Sequence, residues 1–96
     1  YDAVIAPAWG HTAFRHDDTP ITDRMISIDG EPTRFGFQLA YAGLATFPML
    51  PATSVPVGTD PAGLPIGVQV IAAANRDHTA IAVARAAHDL VMEQTP

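Results

Sequence analysis

Apolar and polar positions along this 96-residue chain fall into a few short periodic runs separated by one long irregular stretch. Asp2 to Ala6 (DAVIA) is β-prone and ended by Pro7, which predicts a buried strand. The pattern then dissolves from Ala8 to about Arg24, where Trp9, His11, His16 and three aspartates sit in a segment long for a loop inside a compact domain. Met25 to Ile28 followed by Asp29-Gly30 predicts a strand ending in a tight turn, because Asp-Gly tolerates positive φ. Thr33 is placed to cap a helix running to about Thr46, where Pro48 forbids continuation. On that helix Arg34, Gln38 and Tyr41 form a narrow polar stripe, while Phe35, Phe37, Leu39, Ala40 and Leu44 cover the rest, so the helix is expected to be largely buried.

Two apolar arms follow, flanking Asp60-Pro61-Ala62-Gly63. Asp, Pro and Gly at the first, second and fourth positions are type I turn chemistry, which predicts a β-hairpin. In the second arm, GLPIGVQVIA, Ile66, Val68 and Val70 point one way and Gly67, Gln69 and Ile71 the other. Neither face is polar enough for water, and a strand buried on both faces belongs to a sheet with helices above and below it, an α/β arrangement. Buried Gln69 must find hydrogen-bond partners, and a neighbouring loop is the favoured one. A last helix is expected from an Asp77 cap, with Ala80, Val83, Ala84, Ala87, Leu90 and Val91 as its apolar stripe. Its small side chains let it lie close on the Gln69 strand beside Gly67.

Composition changes this picture in one respect. Charged residues make up 16% of the chain, against about 25% in an ordinary soluble domain. Together with a first residue that is Tyr1 rather than an initiator Met, this leads us to expect that further protein covers part of the surface, with residues 1–96 forming a single segment. The net charge of −5, with five arginines and no lysine, argues against a nucleic-acid partner. No apolar run approaches a membrane span and no signal peptide is visible, so a cytoplasmic setting is expected by default.

Candidate chemistry is sparse. His11, His16, Asp17 and Asp18 are the most ligand-like cluster, but their spacing matches no recognised metal motif, and solvated loop polarity is the favoured reading. His88 beside Asp89 reads as a helix histidine with a structural bond. Ser27 and Ser54 are the available serine nucleophiles, and neither sits in a Gly-x-Ser-x-Gly elbow or beside an acid-base partner. Gly58 and Gly67 read as backbone devices, since no Gly-rich anion loop opens a helix. No catalytic residue, metal ligand or cofactor site is assigned.

The string GLATFPMLPATSVPVG, the Asp-Pro-Ala-Gly turn, then LPIGVQVIAA and a helix, resembles the C-terminal segment of the amidase signature family. DAVIAP resembles that family's late strand ending in Pro, and AFRHDD with SIDGE is similar to one bacterial subgroup. The resemblance covers nearly the whole chain and is carried by several spaced motifs in one order. It implies part of a mixed β-sheet flanked by helices, in an enzyme hydrolysing carboxylic amides at a C–N bond. It also implies a serine nucleophile, a second serine in a cis peptide and a lysine base, all upstream of this segment and mapping onto no residue here. The implied partners are the remainder of the amidase chain and a small-molecule amide, in a parent that could be a homo-oligomer; no cofactor is implied. Trp9, Gln38 and Tyr41 are the positions the resemblance nominates as substrate-facing. Two alternatives stand beside it: the amidase-like subunit of a tRNA-dependent amidotransferase, and a stand-alone interaction module.

Overall fold

The computed structural model of the chain describes residues 1–94. Five strands and two helices follow one another as β1 (Ala3–Pro7), β2 (Met25–Ile28), β3 (Glu31–Arg34), a 3₁₀ turn (Phe35–Gln38), α1 (Leu39–Thr46), β4 (Ala52–Thr59), β5 (Pro65–Ala72) and α2 (Asp77–Glu93). The class is α/β, as the patterning predicts. β5 is central in a three-stranded sheet of order β1-β5-β4, and β2 and β3 form a separate hairpin; every pairing among the described residues is antiparallel.

Both turns form where local chemistry directs them. Asp29 and Gly30 adopt φ of 52° and 83°, the double positive φ of a two-residue type I′ hairpin. At the other hairpin the Gly63 N–H donates to the Asp60 carbonyl at 2.9 Å, and the Asp60 side chain accepts the N–H groups of Ala62 and Leu64, each at 2.9 Å. Gly63 closes that turn at φ +85°, a conformation that penalises any Cβ.

The expected helix start at Thr33 is not what the chain adopts. Thr33 lies in β3 opposite Ile26, because the type I′ turn commits the next four residues to returning along β2. The polar stripe loses Arg34 to that strand, and Gln38 falls in the 3₁₀ turn ahead of α1. Helix α1 ends in a Schellman arrangement: Met49 takes φ 60°, its N–H reaches the Thr46 carbonyl at 3.2 Å, and the Leu50 N–H reaches the Ala45 carbonyl at 2.9 Å. These bonds satisfy the Thr46 and Ala45 carbonyls, two of those left open where the helix stops.

Helix α2 packs across β4 and β5, most extensively on β4. The expectation of packing beside Gly67 is therefore displaced by one strand. In β4, Thr53, Val55 and Val57 are half-buried while Ala52, Ser54 and Pro56 are exposed. The pairings Thr53↔Val70 and Val55↔Val68 put the covered side chains on one face of the sheet. Val70, Ala80 and Ala84 are the most deeply buried residues, and a buried valine contributes on the order of 1.5–3 kcal/mol. Leu90, expected in the apolar stripe, is 59% exposed, although His88 and Val91 on either side of it still meet β4. Gly67 is small for another reason: a Cβ there would stand 3.3 Å from the Val55 carbonyl oxygen across the strand pair.

β1, on both of its faces, and α1 are poorly covered. Val4, Ile5, Phe37, Leu39, Leu44, Phe47 and Met49 are all at least half exposed, so the burial expected of α1 is not supplied by this chain. The molecule is a slab of 38 × 38 × 19 Å with a radius of gyration of 14.9 Å, where a compact domain of this length would have about 12.5 Å. Its accessible surface is 7136 Å², against about 5,300 Å² for a compact monomer of the same mass.

The two edges of the sheet differ. On β4, Pro56 lacks an N–H, the ladder is broken by a bulge between Pro56 and Gly58, and the Pro56 carbonyl is 2.9 Å from His88 Nδ1. These features block strand addition. β1 carries Pro only at its last residue. Continuation of the sheet is therefore open across β1 and closed across β4. No helix among the described residues is long and apolar enough to cross a membrane.

Candidate substrate-pocket wall

The segment leaving β1 becomes a wall. Trp9 packs on Phe35 with ring centroids 5.3 Å apart, and Phe14 meets the same ring edge-on at 5.3 Å. The Arg24 guanidinium lies 5.0 Å from the Phe35 centroid and donates to the Thr19 carbonyl at 3.0 and 2.7 Å through Nε and Nη2. Buried Phe35, the first residue after β3, thus gathers three parts of the 8–24 segment around one ring.

Two hollows flank this wall. One, of about 230 Å³, lies between residues 8–12 and Pro65–Gly67. The other, of about 380 Å³, is lined by Trp9, His11, Thr12, Ala13, Phe14 and Phe35. Trp9, His11 and Thr12 face both. The lining is mainly apolar and aromatic, which suits an acyl or aryl group rather than a reacting centre.

Of the positions nominated from sequence, Trp9 lines both hollows. Gln38 does not line them. It is 6% exposed and lies beneath Gly10, where a Cβ on that glycine would collide with the Gln38 carboxamide oxygen. Gly10 is thus the residue that lets the irregular segment pass over Gln38. Trp9 Nε1 and Gln38 Oε1 are both buried without a hydrogen-bond partner. One is a donor and the other an acceptor, they belong to elements that meet at Gly10, and each unpaired group costs about 1–3 kcal/mol.

Tyr41 contributes through its backbone. Its carbonyl accepts from Gln69 Nε2 at 2.6 Å, and the same Nε2 donates to the Pro7 carbonyl at 2.9 Å. Both partners are acceptors, so the amide nitrogen must point at them. This amide ties the end of β1, the middle of β5 and helix α1 together directly behind the wall. Gln69 is expected to bond a neighbouring loop; its partners are instead the last carbonyl of β1 and a carbonyl of α1.

The remaining candidates are dispersed. Among the described residues no three His, Cys, Asp or Glu side chains gather as a metal site. His11 Nδ1 lies 2.8 Å from the Thr12 carbonyl, and Asp17 accepts the Thr19 N–H at 2.9 Å. The Thr19 hydroxyl, then its N–H, hold the Asp17 carboxyl below the usual range. Ser54 lies opposite Gln69 and Ser27 opposite Pro32, each on an exposed strand position.

One contact was not foreseeable from sequence. Thr12 Oγ1 donates to Asp60 Oδ2 at 2.9 Å across 48 residues. The Leu64 N–H is the largest cause holding the Asp60 carboxyl below its ordinary value, and the Thr12 hydroxyl and Ala62 N–H add to it against some desolvation.

A protein-family profile described as Amidase matches residues 1–81. The chain belongs to the amidase family. It is 36% identical over 92 residues to a protein named fatty acid amide hydrolase from Medicago truncatula, an alignment covering 96% of this chain and 14% of that protein. It is 43% identical over 49 residues to fatty-acid amide hydrolase 2 of Homo sapiens, covering 51% of this chain and 9% of that protein. The sequence thus spans a small part of the length of the curated relatives it matches, and it contains no lysine.

Proposed function

We propose that this chain is the sheet-completing, pocket-lining C-terminal part of an amidase. In this reading the cleavage of a carboxylic amide C–N bond takes place at a Ser-Ser-Lys centre in polypeptide outside this sequence. The serine oxygen attacks the amide carbonyl, the amine leaves with a proton relayed from the serine, and water then releases the acid from the acyl-enzyme. This chain contributes the aromatic wall of Trp9, Phe14 and Phe35 and the packing behind it.

The observation that carries the reading is the pair of buried, unpartnered polar atoms at the base of the wall, Trp9 Nε1 and Gln38 Oε1. A donor and an acceptor left orphaned on adjoining elements are accounted for if their partners lie in the rest of the amidase. The uncovered faces of the sheet and of α1, and the open β1 edge, support the same partner. Both relatives are named for fatty acid amides, and an apolar acyl group fits the apolar lining of the larger hollow. The cytoplasm is the proposed setting.

Hydrolysis assays with primary amides of aliphatic and aromatic acids test the reading. The isolated chain should give no turnover above buffer, and a longer polypeptide that contains it together with the lysine and serines should release ammonia. Turnover by the isolated chain would overturn the assignment.

A further inference from the structure

The wall is long, irregular and lightly tethered. Among the described residues, the Thr12–Asp60 hydrogen bond is the one that ties residues 8–18 to a different element. Its acceptor side is rigid. Asp60 Oδ1 receives the Ala62 and Leu64 N–H groups, the Asp60 N–H donates to the Leu64 carbonyl at 2.8 Å, and the Asp60 carbonyl receives Gly63 N–H. One carboxylate oxygen therefore fixes the hairpin tip and the other reaches outward to the loop. Thr12 stands between Trp9 and Phe14, the two rings that pack on Phe35, and it lines both hollows.

We infer that Thr12 and Asp60 form a latch: Asp60, held by its own turn, is a positioning residue that seats the Trp9–Phe14 loop and so sets the width of the hollow beside it. The inference deepens the pocket-wall reading above and rests on it for the hollow's role, but the latch itself is a statement about loop position. A bond from a hydroxyl to a carboxylate belongs to the stronger, charge-assisted class, and a single such tether on a loop governs local opening without governing global unfolding.

Trp9 is the sole tryptophan, so its emission reads the loop directly. Acrylamide quenching of Trp9 is compared in the unaltered chain, in Thr12→Val, which keeps the shape but removes the donor, and in Thr12→Ser, which keeps the donor. Far-UV circular dichroism and hydrogen exchange at the Ala62 and Leu64 amides are followed in parallel. The expected result is a Stern–Volmer constant about twofold higher in Thr12→Val, restored in Thr12→Ser, with turn amide protection unchanged in both. Equal quenching in Thr12→Val and the unaltered chain would overturn the latch. So would loss of turn protection together with the quenching change, which would mark a general loss of structure, or failure of Thr12→Ser to restore quenching. The measurement reads loop exposure and not hydrolysis, so a failed latch is distinguishable from a failed hydrolysis assay.

Discussion

Replacing Gln69 by leucine tests how the sheet, α1 and the wall are joined. The carboxamide nitrogen serves two carbonyls, Pro7 at 2.9 Å and Tyr41 at 2.6 Å, from a side chain that is 6% exposed. Leucine keeps the volume and removes both donors. Two net hydrogen bonds of about 1 kcal/mol each are lost, and the abandoned carbonyls carry a desolvation cost of up to about 1–3 kcal/mol apiece, partly relieved by any water they regain. The additional apolar burial of leucine offsets on the order of 1 kcal/mol. The net expectation is a loss of about 2–4 kcal/mol, read as a lowered urea midpoint at unchanged slope. Gln69→Glu sharpens the test, because a carboxylate would aim negative charge at two acceptors. Burial and those carbonyls would raise the folded-state pKa of the new group above its unfolded value near about 4.3. The variant would therefore be most stable below that value and lose stability as pH rises through the folded pKa. A Gln69→Leu chain within about 0.5 kcal/mol of the unaltered one, or a Gln69→Glu chain indifferent to pH between about 4 and 8, would refute the reasoning.

Gln38→Met should be neutral or stabilising in this chain by urea unfolding, since it removes a buried oxygen that has no partner. Gly63→Ala should cost about 1 kcal/mol by the same assay, because the residue sits at φ +85°. The Asp60 carboxyl is held below its ordinary range, first by the Leu64 N–H. Its contribution should be fully present above the unfolded pKa near about 3.9 and be lost as pH falls below that value through the folded pKa. A Trp9 quenching titration should show an acid-side rise that Thr12→Val weakens.

The parts legible in the sequence are those governed by local chemistry. Asp29-Gly30 and Asp60-Pro61-Ala62-Gly63 each set their own turn, and the buried amide at Gln69 announced that it needed partners. The strand Glu31–Arg34 was missed because Glu, Pro, Thr and Arg carry no alternating apolar signal; the two-residue turn before it was the available cue. Thr33 then read as a helix cap although pairing with Ile26 claims it. The apolar circumference of α1 was plain, but what covers it is not in these residues, so its exposure could not be foreseen from pattern. The site was partly legible: Trp9, Gln38 and Tyr41 were nominated, while the passage of Gly10 over Gln38 and the backbone role of Tyr41 depend on tertiary geometry. Asp60 was legible as a turn residue, but its contact with Thr12 was not, because nothing local links residues 48 positions apart.

The central claim is that this chain is an inert wall completed by further amidase polypeptide, and complementation tests it most directly. A longer family polypeptide lacking the region equivalent to residues 1–96 is mixed with this chain, and mass and amide hydrolysis are measured together. The account predicts a one-to-one complex that hydrolyses amides when neither part does so alone. A shortened polypeptide that is fully active by itself and does not bind this chain would contradict it.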